Sequence, residues 1–167
     1  MTNKQKTAFS IGAAIAAIWL YRTKQSGQPV ATVTTSEGFD LTPYGGPVVY
    51  PEAIKQLAQA IARAEGFAVP GSIPQQAHNP GDLKVPGWTG PTLGSGITVF
   101  ADDDEGWNAL YRQLYLILTG RSSVYNLDMT ITDMAHAWTA TQADAWAHNV
   151  ASVLGVTPSA PLWHVLA

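Results

Sequence analysis

Glu65 is the carboxylate whose position demands a chemical explanation. Ile54, Leu57, Ile61 and Glu65 follow one another at helical spacing, so an ionisable group continues an apolar stripe on the face expected to be buried. An apolar surround disfavours the ionised form, and so does the negative end of a helix that stops at Gly66; both effects raise the pKa. A carboxyl group still protonated near neutrality suits general-acid chemistry. Glycosidic cleavage needs such an acid, which protonates the leaving oxygen as oxocarbenium character develops at the sugar carbon. The competing reading is a side chain that simply turns outward at a helix end.

A second feature follows within 20 residues, the run Asn79-Pro80-Gly81-Asp82-Leu83. Asn79, restricted by the proline after it, is a candidate to aim its amide at a sugar acetamido group or at Glu65; the plain alternative is a turn. The run resembles the NPGNL box of phage and bacterial lytic transglycosylases and other lysozyme-like peptidoglycan-degrading domains. In those domains the box follows a helix ending in an EGF-type glutamate, and Ala64-Glu65-Gly66-Phe67 is similar to that helix end. Further likeness follows in order: Phe100 through Trp107 with Ala109-Leu110, then Gly120, Tyr125, Thr130, and Asn149-Val150-Ala151 leading to Leu154-Gly155-Val156. It covers roughly residues 52 to 156, and its specificity lies in the ordered set, since a short turn motif recurs by chance. Two departures stand out. Gln76, Ala77 and His78 occupy positions where the family carries Arg, Asn and Asn, and Asp82 stands in place of an Asn.

The resemblance implies a lysozyme-like fold and cleavage of the MurNAc-GlcNAc bond by lytic transglycosylation. In that reaction one glutamate, here Glu65, donates a proton and then assists intramolecular attack by the muramyl hydroxyl, giving a 1,6-anhydro sugar. It implies no cofactor. Asn79, Asp82, Trp88, Tyr125, Trp138 and Thr139 are the candidate substrate-binding residues. Trp138 and Thr139 resemble the substrate-side AYN or YxP region, although Trp138 fits core packing better. Trp88 sits in a Gly/Pro-rich loop where an aromatic ring can meet a glycan. A phage virion protein that opens the host envelope during infection is the context the resemblance suggests, with peptidoglycan glycan strands and other virion proteins as partners. The rival expectations are a hydrolysing lysozyme or endolysin and a catalytically silent glycan-binding or structural virion subunit.

No second catalytic carboxylate is assigned. Asp82, Asp104, Glu105 and Asp144 are the options, but Asp102 to Glu105 lie where helix caps and dipole partners belong, and Asp144 sits early in another helix. His78, His136, His148 and His164 have no paired metal spacing, so no metal is expected. The serines lie in no GxSxG context. Trp107, Trp146 and Trp163 read more readily as core than as a sugar platform.

The elements that must position these residues are mainly helical, an α+β arrangement with a small hairpin or loop lobe. Pro51 opens the helix that carries Glu65. From Phe67 to Gly96 glycines and prolines are dense, and Leu83 to Val85 and Ile97 to Phe100 are expected to pair as a small sheet. Asp102 to Asp104 cap a long helix in which Trp107, Leu110, Tyr111, Leu114 and Leu118 share a face up to Gly120. Thr130 with Asp133 starts another helix through Met134 and Trp138, and Thr141 or Gln142 starts one through Trp146, Val150 and Leu154 to Gly155.

The 167-residue chain holds one domain and an appendage. It is 46% hydrophobic and only 13% charged, with a formal net charge of -3 that argues against nucleic acid as a partner. It contains no cysteine, which removes disulfides, thiolate metal sites and a cysteine nucleophile. Residues 8 to 21 read AFSIGAAIAAIWLY without a charge, between Lys4 and Lys6 on one side and Arg22 and Lys24 on the other. This is expected to be an N-terminal hydrophobic helix (1-21) that anchors the protein in the virion membrane or the bacterial inner membrane, with the catalytic domain facing the wall. The run is short for a span, and a signal peptide is the alternative; two basic residues follow it and no A-x-A cleavage signal does. Residues 22-47 read as a Thr/Ser/Gly/Pro-rich linker, and 48-167 as the lysozyme-like domain.

Overall fold

The structure, a computed structural model, describes residues 50–166. The expected anchor helix and linker lie outside the described residues. Among the described residues no helix is long and apolar enough to cross a membrane.

Helix α1, Glu52–Ala64, is the central element. Ile54, Leu57 and Ile61 are completely buried, as their spacing predicts, and so are Ala58 and Ala60. The alanines let neighbours close on more than one side: α1 packs against α3 (Asp103–Leu118), α5 (Ala143–Leu154) and α6 (Leu162–Leu166). Full burial of each large aliphatic side chain contributes roughly 1.5 to 3 kcal/mol relative to exposure. The helix ends through Gly66 at φ +77. The Gly66 N–H donates to the Arg63 carbonyl and the Phe67 N–H to the Ala62 carbonyl, a closing pair that needs a left-handed residue at the turn. Glu65 is therefore fixed on the last turn.

The segment after Gly66 is more ordered than its composition suggests. Ser72 caps a short helix, α2 (Ile73–Gln76), by accepting from the Gln75 N–H, and its hydroxyl donates to the Gly66 carbonyl at 2.9 Å. The small sheet pairs differently from expectation. Its strands are β1 (Thr92–Leu93) and β2 (Ile97–Thr98), antiparallel with Thr92 opposite Thr98 and Leu93 opposite Ile97. Leu83 to Val85 instead run beside β2 without entering the ladder: the Thr98 N–H donates to the Leu83 carbonyl and the Val85 N–H to Thr98 Oγ1. The shorter connection through Gly94 and Gly96 closes the hairpin locally, at lower loop entropy than the expected pairing.

Helix α3 starts at Asp102, whose side chain accepts from the Glu105 N–H at 2.8 Å, while the Glu105 carboxylate accepts from Ala101 N–H. Its buried face is Gly106, Ala109, Leu110, Leu114 and Ile117. Trp107, Tyr111 and Leu118, expected on that face, flank it half-buried. Helix α4 (Ile131–Trp138) opens on a reciprocal cap between Thr130 and Asp133. Its first amides are also satisfied from the C-terminal segment, Ile131 N–H by the Ala160 carbonyl and Thr132 N–H by the Pro158 carbonyl. Gln142, in a left-handed conformation, precedes α5, and Gly155 at φ +69 ends it. α4 packs against α5, and α6 buries Leu162 and Leu166 beside α1.

Gly106 joins the helices to the lobe. A Cβ built there would overlap the backbone carbonyl oxygen of His78, so the 78–82 turn rests directly on the α3 backbone. Glycine inside a helix normally costs about 1 kcal/mol against alanine. Here the sign reverses. Gly106→Ala is expected to destabilise the fold by roughly 1 to 3 kcal/mol through overpacking, read as a lower urea midpoint.

Candidate active site

Four chain segments meet around the Glu65 carboxyl group. Glu65 itself comes from the end of α1 and is half-buried. Trp146, buried on α5, donates its indole Nε1–H to Glu65 Oε1 at 2.8 Å. Trp138, the last residue of α4, stacks on Trp146 with ring centroids 6.1 Å apart. Its indole N–H donates to the Gly81 carbonyl at 3.2 Å, tying the 79–83 turn to the helices. Tyr125 lies beyond Trp138, with centroids 5.7 Å apart, and its hydroxyl donates to the Ala137 carbonyl. The row Tyr125, Trp138, Trp146 thus leads to the carboxyl group.

Burial pushes the Glu65 carboxyl up from its ordinary 4.5 to about 7. The Trp146 hydrogen bond opposes this by favouring the carboxylate, the negative charge of Asp82 adds to it, and Trp138 opposes it again. Asp82 sits at φ +50, a conformation Asp tolerates better than most residues. Its Oδ1 is sealed from solvent with no hydrogen-bond donor. Burial raises the Asp82 pKa too, while Lys84 pulls it down. The two carboxyl groups thus differ in surroundings, and the one on α1 keeps its proton near neutrality.

The remaining candidates separate by position. Asn79 is fully buried: its amide donates to the Leu83 and Thr98 carbonyls at 2.9 and 2.8 Å, and its Oδ1 accepts from the Leu83 N–H at 2.8 Å. Both donors are spent inside the lobe, so Asn79 shapes the turn; the expected contact with a sugar or with Glu65 does not fit this geometry. Trp88 folds onto its own loop, donating to the Pro91 carbonyl and packing edge-on against Phe100, which makes it a lobe residue. Thr139 follows Trp138, but its hydroxyl donates to the Thr141 carbonyl and so closes the α4–α5 turn. His78 pairs with Asp103 at 2.6 Å and anchors the turn to α3.

Trp146 is the residue sequence reasoning missed as part of the site. Its helical spacing with Val150 marks it as core, and it is core on its ring faces. Only its N–H is committed to Glu65, 81 residues away in sequence. Nothing local to Trp146 distinguishes it, among the six tryptophans, as the one whose N–H meets Glu65. Comparison with protein-family models, curated proteins and solved structures gives no match for this chain.

Because the folded chain holds the Glu65 proton more tightly than the unfolded chain, this group's contribution to stability is full below about 4.5 and falls as pH rises to about 7. Glu65→Gln removes the pH-dependent loss. Relative to wild type, its unfolding free energy is expected to gain roughly 2 to 3 kcal/mol between pH 4 and pH 8, measured by urea denaturation at both values.

Proposed function

We propose that this chain is a lysozyme-like peptidoglycan lytic transglycosylase that cleaves the MurNAc-GlcNAc bond of glycan strands with Glu65 as its acid. One observation carries the reading: a half-buried carboxyl at a helix end, held by an indole N–H and raised to about 7. This is the protonation state needed to deliver a proton to a leaving glycosidic oxygen. As the proton transfers, the C1–O4 bond breaks. The muramyl C6 hydroxyl attacks C1, and the newly formed Glu65 carboxylate takes the hydroxyl proton, which regenerates the acid. The product end is a 1,6-anhydro sugar. The half-buried ring of Trp138, beside the acid, and that of Tyr125 behind it supply apolar surface against which a pyranose can pack. The ordered residues shared with phage peptidoglycan-degrading domains support the same substrate, and the apolar segment 8–21 suits a virion membrane anchor that brings the enzyme to the wall.

Asp82 favours a second reading. Its charge reaches Glu65, and a second carboxylate beside the acid is what a hydrolysing lysozyme uses to activate water or hold the glycosyl intermediate. The products separate the two. Mass spectrometry of a peptidoglycan digest is expected to show anhydro ends for transglycosylation, and reducing ends throughout would establish hydrolysis. Glu65→Gln is expected to lower the cleavage rate on the order of 10² to 10⁴-fold, and the wild-type rate to fall as pH rises through about 7. A Glu65→Gln protein that clears peptidoglycan at the wild-type rate overturns the assignment of the acid.

A further inference from the structure

The two oxygens of the Glu65 carboxyl group are not equivalent. Oε1 accepts the Trp146 Nε1–H at 2.8 Å. An indole nitrogen donates and cannot accept, so Oε1 must stay an acceptor toward Trp146, a role that the carbonyl-type oxygen of a protonated carboxyl group fills better than its hydroxyl oxygen. Trp146 is itself held firmly. It is 5% exposed, belongs to the core beside Val150 and Ala151, and stacks against Trp138, whose own N–H donates to the Gly81 carbonyl and also reaches the Glu65 carboxyl group. The indole can neither rotate away nor be replaced by water without opening the contact between α1 and α5.

We propose that Trp146 is a positioning residue for the cleavage step: its N–H reserves Glu65 Oε1 as a permanent acceptor, leaving Oε2 as the oxygen that delivers the proton and later recovers it. The inference rests on the catalytic reading of Glu65 and extends it to a single atom. The groups that face Glu65 are Asp82 from the 79–83 turn, Trp138 from α4 and Trp146 from α5. Asp82 favours the protonated acid, and the two indoles favour the carboxylate. Trp146 therefore does two things at once: it stops the carboxyl from rotating in either protonation state, and it keeps the proton loose enough to leave.

The test has one arm that needs no turnover. In full-length protein with ¹⁵N-labelled indoles, the Trp146 N–H resonance, assigned through its contacts with Trp138, is expected to titrate with a midpoint near 7 in the wild type and to stay flat in Glu65→Gln. A Trp146 resonance that does not move between about pH 5 and pH 9 overturns the proposal. The second arm is kinetic. Trp146→Phe keeps the ring surface and loses the donor, so the alkaline limb of peptidoglycan cleavage is expected to move to higher pH. At the optimum kcat is expected to drop by at least about 10-fold with KM unchanged. A Trp146→Phe enzyme with the wild-type limb and kcat overturns the positioning role. A wild-type chain that shows the coupled titration but leaves peptidoglycan intact overturns the proposed function itself, and with it any catalytic role for Trp146.

Discussion

A single indole N–H, 2.8 Å from a carboxyl oxygen, joins the end of the central helix to a helix 81 residues further along the chain. The constraint behind it is simple. A carboxyl group placed on an apolar stripe must either leave the interior, lose its charge or find a donor. Glu65 cannot leave, because the Gly66 turn fixes the last turn of α1 and returns the chain through Phe67. It keeps a proton near neutrality and takes a donor that comes with its own hydrophobic surface. A tryptophan satisfies the polar demand without importing water or a counter-charge, so the packing of α1 against α5 remains continuous around the acid.

The lobe serves the same arrangement from the other side. Asn79 replaces a stretch of missing strand pairing with three side-chain hydrogen bonds, which fold residues 79–83 against β2. Gly106 removes the one side chain that would hold this turn off α3. The Gly81 carbonyl then meets Trp138, and Asp82 comes within electrostatic reach of Glu65. The turn thus acts as a rigid spacer between hairpin and helices. In a lobe with a sheet only two residues deep, such side-chain bonds supply the order that a longer ladder would otherwise give.

His78 and Asp82, at the two ends of this turn, have separate effects. His78 spends its ring on Asp103 and contributes to the anchoring of the turn. Asp82 puts a carboxylate into the turn with one oxygen sealed from solvent and no donor to meet it. Such a placement is unfavourable for the turn itself. Its electrostatic effect falls on Glu65, where a neighbouring negative charge favours the protonated acid.

Much of the secondary structure was legible from local chemistry alone. The stripe Ile54, Leu57, Ile61, the Asp102 cap, the Thr130–Asp133 capping box and the glycine stops at 66, 120 and 155 depend on residues within a few positions of one another, and so the sequence determined where these helices begin and end. It also determined that Glu65 sits on a buried face. The hairpin pairing, the helix α6 and the half-burial of Trp107 beside the α3 core face were decided by contacts between distant segments. So was the division of the candidate site residues. Asn79 and Trp88 turn into the lobe, Trp138 stands beside the Glu65 carboxyl group with Tyr125 behind it, and Trp146 changes from one core tryptophan among several into the partner of Glu65. Periodicity states that a residue is buried; only the packing of helices states what it faces, because the direction of an N–H relative to a carboxyl 81 residues away is set by the crossing of α1 and α5 and by nothing local to either.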